Sequence, residues 1–333
     1  MDIAAAYRLC SRRQALKRGL CAVQECLEKQ AEHGWRVEAA AIDVFYKVVG
    51  YKVSTPDVIA FFPKELSVPI THSGLTRMRD DFLSVDIVVP PYYQMGMLSK
   101  LSFAVQCAPT MEEKLKIADA GLIGMFDCES LAALVEGVYR KKRTMSKYAD
   151  QISESIKAYF LGLYGVAITG LIPCVEGIIR TMGNDLGLSV GEKVDARSLL
   201  RVFKKLKQQE VDSALDGYGW YPEQMNVAFF ERFHERIQML GNVVVFIETA
   251  LYQHTSLYTR ETLLNRHGIS HGLFEGYASA ANFLRLINLI NSLSVAAILV
   301  EGRGSFFHPP VTDESKKLAW NYRRCWLMKS SVS

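Results

Sequence analysis

Eighteen consecutive residues, Ala158 to Val175, carry no charge. A run of that length either crosses a bilayer or has to be hidden inside a fold. Gly162, Gly165, Gly170 and Pro173 interrupt it, and Glu176 and Arg180 follow closely. Proline has no amide proton to donate in a helix interior and fits best in the first turn of a fresh helix. The pattern therefore predicts two consecutive buried helices, 150–168 and 171–182, and no membrane span. A membrane-associated helical protein built on this run is the alternative, which cell fractionation separates.

The rest of the composition favours a large soluble core. Of 333 residues 49% are hydrophobic and 22% charged, far from the balance of a disordered chain. That length suggests two domains. The net charge of +4 is modest, so local basic patches matter more than the total. Seven scattered cysteines form no Cys-x-x-Cys pair, which argues for reduced thiols in a cytoplasmic protein, without a disulfide framework or a zinc knuckle. Arg8, Arg12 and Arg13 break up the N-terminus, leaving no apolar run suited to a signal peptide.

Periodicity predicts an all-α chain. Residues 1–145 read as a mostly helical N-terminal domain, with helices over 5–31 (Leu9, Leu16, Leu20, Val23, Leu27) and 37–50 (Ile42, Phe45, Tyr46, Val49). Prolines at 56, 63, 69, 90 and 91 then punctuate the chain, and Val85–Val89 is strand-like. A helix from Glu129 to Tyr139 leads into Arg140-Lys141-Lys142-Arg143, taken as the domain boundary. From there helices follow one another within a bundle spanning 146–310. They cover 150–168, 171–182, 196–209 (with Asp195 as N-cap), 223–253, 259–271 and 279–300. Residues 311–333 form a basic, aromatic C-terminal tail.

The chemistry concentrates in Asn265-Arg266-His267-Gly268-Ile269-Ser270-His271-Gly272. An arginine clamps phosphate bidentately, and a histidine moves protons near neutral pH. Arg-His-x-x-x-His resembles the Arg-(Asn/Asp/His)-x-x-x-His signature of the HEPN superfamily, small helical bundles that include many toxin-like or antiviral ribonucleases. Upstream, Pro173-x-x-Glu176-x-x-x-Arg180 ahead of this motif is similar to a pairing seen in bacterial HEPN-like proteins of uncharacterised or phage-defence type. The resemblance covers residues 150–300. It implies a HEPN-like C-terminal bundle and metal-independent RNA cleavage, with His271 in proton transfer and Arg266 on the scissile phosphate. His267 fills the polar position after the arginine, and Asn265 is a supporting contact. No cofactor is implied. The alternative within the resemblance is a catalytically silent module that binds RNA, a nucleotide or a protein.

Spacing adds a constraint. In a continuous helix Arg266 and His271 lie about 140° apart around the axis. Either the helix unwinds at Gly268 or Gly272, or two subunits pool their motifs in a symmetric homodimer, the arrangement typical of the family. Glu176 and Arg180 share a helix face, as functional partners of the motif or as an ordinary i,i+4 ion pair. His267, His271 and Glu275 repeat every four residues, but Gly268 stands where a zinc protease needs its glutamate, so metal catalysis is the poorer account. RNA contacts are expected from the Arg197, Arg201, Lys205 stripe and from Arg323 and Arg324, which sit among Trp320, Tyr322 and Trp326. The stripe is also an ordinary amphipathic helix, with Leu199, Leu200, Phe203 and Leu206 opposite. A regulatory partner such as an antitoxin is a further possibility that the family carries.

Overall fold

The computed structural model describes residues 2–29, 34–67, 74–190 and 195–329. The chain is mostly helical, 63% helix against 7% strand. Its contacts divide it into two units, Met1–Ser73 with Lys207–Gln238, and Gly74–Leu206 with Met239–Ser333. The boundary expected near residue 145 thus falls inside the larger unit. Of its basic run Arg140, Lys141 and Arg143 are exposed, while Lys142 is buried and desolvation pushes its ammonium pKa down. Arg140 pairs with Glu136 and Asp150, and Arg143 with Asp185.

In the smaller unit the expected 5–31 helix is three short ones: α1 (Ile3–Arg12), α2 (Ala15–Arg18) and α3 (Leu20–Glu28). They break at Gln14 and Gly19, both in positive φ. The expected helix over 37–50 is a hairpin. Strands β1 (Arg36–Val44), β2 (Tyr46–Ser54) and β3 (Ile59–Pro63) form an antiparallel sheet in that order. The helical reading failed because Phe45 and Val49, two of its four apolar positions, face solvent. Ile42 and Val48, cross-strand partners at strand period, are the buried ones. One sheet face packs Tyr51, Val53 and Phe62 with α2 and α3 through Leu16, Val23 and Leu27. The other packs Ile42, Val48 and Phe61 against Leu215, Phe230 and Phe233 of the returning segment.

The larger unit holds α4 (Gly74–Ser84), α5 (Met95–Cys107), α6 (Met111–Met125), α7 (Cys128–Leu134), α8 (Ala149–Phe160) and α9 (Tyr164–Asp185). Helix α10 (Ala196–Ala214) follows, then α11 (Val227–Phe230), α12 (Glu235–Phe246), α13 (Arg266–Ser270), α14 (Ala280–Glu301) and α15 (Asp313–Met328). Of these, α10 and α12 contribute residues to both units and α11 belongs to the smaller one. The expected 223–253 helix is therefore α11 and α12 with turns around them, closed by a π-helical turn at Ile247–Leu251. The expected N-cap Asp195 accepts from Ser198 N (2.6 Å), and at the start of α14 Ser279 accepts from Asn282 N (3.1 Å).

Helix α14 is the centre of the unit, with every residue from Ala281 to Ile298 buried. It and α9 are both long and apolar enough to cross a membrane, but 89% of the apolar window of α14 is buried inside the fold. Its hydrophobicity is that of a core helix. The break in the charge-free run comes at Gly162, in positive φ, and α9 then continues through Pro173. The proline is interior, contrary to the first-turn expectation. Nearby, the Gln151 side-chain amide donates to the Gly170 carbonyl at 2.8 Å.

Val85–Val89 is wholly buried yet belongs to no sheet. An extended segment in a core must still bond its carbonyls, and here side chains of α14 supply the donors. Arg285 Nε reaches Val85 O at 3.0 Å, and Asn288 Nδ2 reaches Val88 O at 2.5 Å. Arg285 is itself buried and meets Asp119 at 2.7 Å. Pro69 and residues 330–333 of the tail lie outside the described residues. The rest of the tail is a docked helix, α15, opened by a capping box at Thr312 and Ser315. Its buried Tyr322 shares a hydrogen bond with Ser153 of α8 at 2.8 Å.

Replacing Arg285 with Met keeps the apolar stem but leaves a buried carbonyl and Asp119 without their cation. Asp119 is 36% exposed and can be rehydrated, so the cost is set mainly by the unpaired buried carbonyl, about 1–3 kcal/mol. Urea unfolding of Arg285→Met is expected to show a loss of that size; a loss under about 1 kcal/mol contradicts the assigned role.

Candidate active site

The motif does not end a long helix. Residues 259–265 are irregular, and α13 is a short helix that starts at Arg266. The reason lies in what the expected helix would have had to give up. Arg260 and Thr262 both turn onto buried Asp86, Thr262 donating at 2.6 Å, while Arg260 also donates to the Leu83 and Thr249 carbonyls at 2.9 Å each. Leu263, in positive φ, completes the departure from helix.

Asn265, fully buried, fixes the start of α13. Its Oδ1 accepts from Gly268 N at 2.9 Å as an N-cap. Its Nδ2 donates to the Ala250 and Gln253 carbonyls at 3.0 and 2.7 Å. These bonds tie the motif to the π-helical turn that follows α12 and occupy the side chain, so the support Asn265 gives is that of a tether within the fold. A Cβ at Gly268 would sit 2.2 Å from the Phe274 ring, so any larger residue there has to displace that ring. Gly272, at φ 65°, closes the helix as a left-handed cap, with Leu273 N bonded to Gly268 O at 2.8 Å.

Arg266 turns toward α9. Its Nε donates to Glu176 at 2.9 Å, and Glu176 also accepts from the Tyr252 hydroxyl. Burial and then the Glu176 carboxylate push the Tyr252 pKa well up, so this hydroxyl stays a donor. Arg266 NH1 lies 3.4 Å from His267 Nδ1. His267 and His271 are one turn apart with parallel rings, 6.2 Å between centroids, and Tyr252 meets His267 edge-on at 6.0 Å. His267 is half-buried and His271 exposed. Desolvation first, then the charge of Arg266, lowers the His267 pKa, which Glu176 partly opposes. A cavity of about 120 Å³ beside the cluster is lined by Thr169, Ile172, Pro173, Glu176, Arg266 and Ser270.

Several expectations meet the geometry here. Glu176 is joined to Arg266 across the fold, and no ion pair links it to Arg180 among the described residues. The ordinary i,i+4 pair is therefore replaced by a tertiary one. Arg180 Nε is buried without a hydrogen-bond partner, while its charge acts on Tyr252. Arg266, His267 and His271 make a continuous run of contacts within one chain, which the 140° of an extended helix did not suggest. Arg197, Arg201 and Lys205 form an exposed stripe on α10, with Leu199, Phe203 and Leu206 buried opposite. Arg323 and Arg324 are exposed on α15. None of these five lines the motif's cavity. Sequence reasoning missed Tyr252, which stands outside any spacing pattern and arrives through the π-helical turn.

The charge balance around His267 gives a direct check. Its folded pKa lies below that of the unfolded chain, so its contribution to stability is present at neutral pH and is lost as pH falls through the imidazole range. In an NMR titration of the imidazoles, Arg266→Gln is expected to raise the His267 pKa and Glu176→Gln to lower it further. An unchanged pKa in both variants contradicts the cluster as described.

No protein-family model, curated protein or solved structure matches this chain.

Proposed function

We propose that the larger unit is a HEPN-type, metal-independent endoribonuclease whose site is Arg266 with His267 and His271. One observation carries the reading: two parallel imidazoles stand one turn apart beside a guanidinium whose Nε is already anchored by Glu176. Cleavage of RNA by its own 2′-hydroxyl needs those groups and no others. The 2′-oxygen attacks phosphorus and the bond to the 5′-oxygen breaks. One imidazole takes the 2′ proton while the other gives a proton to the departing 5′-oxygen, leaving a 2′,3′-cyclic phosphate. The lowered pKa of His267 and the exposure of His271 divide the pair into two environments, the pattern expected of an acid–base pair. Glu176, itself bonded by Tyr252, holds Arg266 through Nε, and the phosphate would take the terminal nitrogens, NH1 giving up its approach to His267. Arg180 is positioned by charge, and the exposed cations of α10 and α15 serve as tracks for the strand. A cytoplasmic toxin or antiviral role, with a neutralising partner, follows from the resemblance alone.

A second reading rests on the same ion pair. If Glu176 holds Arg266 too tightly for phosphate, the unit is a silent module, and RNA binding survives loss of His271. Dimerisation is also part of the proposal for the family type, but the three side chains meet without it.

Purified protein is expected to cut RNA in EDTA. His271→Ala is expected to lower the rate by about 100-fold or more with the fold intact, and Arg266→Lys to leave it low, because lysine lacks the planar fork. Cutting that persists in His271→Ala contradicts the mechanism.

Mixing Arg266→Ala with His271→Ala subunits asks where the site is assembled. A site complete in one chain leaves the mixture inactive. Regained activity means that two chains share it.

A further inference from the structure

A cavity of about 470 Å³ opens within the smaller unit, inside the ~300–1,000 Å³ range of small-molecule sites. Each described residue that lines it belongs to that unit. Two indoles form its aromatic walls. Trp35, just ahead of β1, is buried. Trp220 is half-buried on the returning segment, where Phe61 N donates to its carbonyl at 2.9 Å and fastens it beside β3. Its ring is held by those of Tyr7 and Phe62, with centroids 5.6 Å away in each case. Pro56 and Val58 add apolar surface.

The charge at this cavity has one sign. Asp2 and Asp57 line it, and no lysine or arginine does among the described residues. Asp2 gives one oxygen to the cap of α1, its Oδ1 accepting from Ala5 N at 2.6 Å, and keeps the other for a ligand. Asp57 stands in the turn between β2 and β3, where its N–H donates to Thr55 Oγ1 at 3.3 Å. Among the described residues no hydrogen bond or ion pair reaches its carboxylate. The face of an indole carries the negative part of the ring quadrupole, so carboxylates and aromatic walls here attract the same sign of charge.

We propose that this cavity is a binding site for an aliphatic polyamine, a chain of methylenes with an ammonium at each end. The ammonium groups donate to Asp2 and Asp57, and the methylenes lie on the two indoles, Pro56 and Val58. The combination selects against simpler ligands. A hydrated metal ion has no use for the indoles, a monoamine leaves one carboxylate unmatched, and an anion is repelled. The site rests on residues of the smaller unit alone, whether or not the motif of the larger unit cleaves RNA.

Titration calorimetry of the full chain, freed of nucleic acid and held at constant ionic strength, tests this. The probes are putrescine and spermidine, with n-butylamine and Mg²⁺ as partial ligands. At least one of the two polyamines is expected to bind saturably with a Kd below about 1 mM and to change tryptophan fluorescence. n-Butylamine is expected to bind about tenfold more weakly or worse, and Mg²⁺ not to displace the polyamine. Asp2→Asn and Asp57→Asn are each expected to weaken the polyamine by about tenfold, and His271→Ala to change nothing. Asp2 and Asp57 are exposed, asparagine still caps a helix, and circular dichroism confirms the fold. Failure of both polyamines to bind, equal binding of n-butylamine, displacement by Mg²⁺, binding that ignores both Asp2→Asn and Asp57→Asn, or binding lost in His271→Ala overturns the proposal.

Discussion

Buried irregular backbone has to be hydrogen-bonded, and in the larger unit long polar side chains meet that demand. The Val85–Val89 segment runs through the core without a sheet, and Arg285 and Asn288 of α14 take its carbonyls. The stretch before the motif is irregular too. Arg260 bridges the Leu83 and Thr249 carbonyls, Asn265 takes those of Ala250 and Gln253, and Asn282 takes those of Thr262 and Tyr277. Each unmade bond of this kind costs about 1–3 kcal/mol, so these residues decide which irregular path the chain can follow. The candidate site is a product of that path. Asn265 sets where α13 starts, and that start aims Arg266 at Glu176.

The elements legible in the sequence were those with a local chemical signature. Asp195 before an amphipathic stripe acts as expected, and the helix read from residue 279 opens there on Ser279, because a cap depends on neighbours three residues away. The hairpin of β1 and β2 was misread because Ile42, Phe45, Tyr46 and Val49 fit a helical stripe by chance. Burial selects Ile42 and Val48 instead. Pro173 was misplaced for a related reason: a rule about local donors does not know that α9 is packed and supported by its neighbours.

At the site, the residue types were legible and their partners were not. Arg266, His267, His271 and Glu176 could be picked out by chemistry, but the pairing of Glu176 with Arg266 spans 90 positions. Nothing in the local pattern separates that from a bond to Arg180 four residues on. Tyr252 could not be found at all. The short α13 also changes the geometric problem that the spacing posed. A helix that begins at Arg266 and ends before His271 stacks the two imidazoles and leaves the guanidinium beside the first.

The central claim is that these side chains transfer a phosphoryl bond to the substrate's own 2′-oxygen. Mass spectrometry of the cleavage products measures this directly, using an RNA oligonucleotide and a copy with 2′-deoxyribose at the cut position. The account predicts 2′,3′-cyclic phosphate and 5′-hydroxyl ends from the RNA and no cut at the deoxy position. Ends bearing a 5′-phosphate and a 3′-hydroxyl, or cleavage of the deoxy copy at the same place, would contradict it.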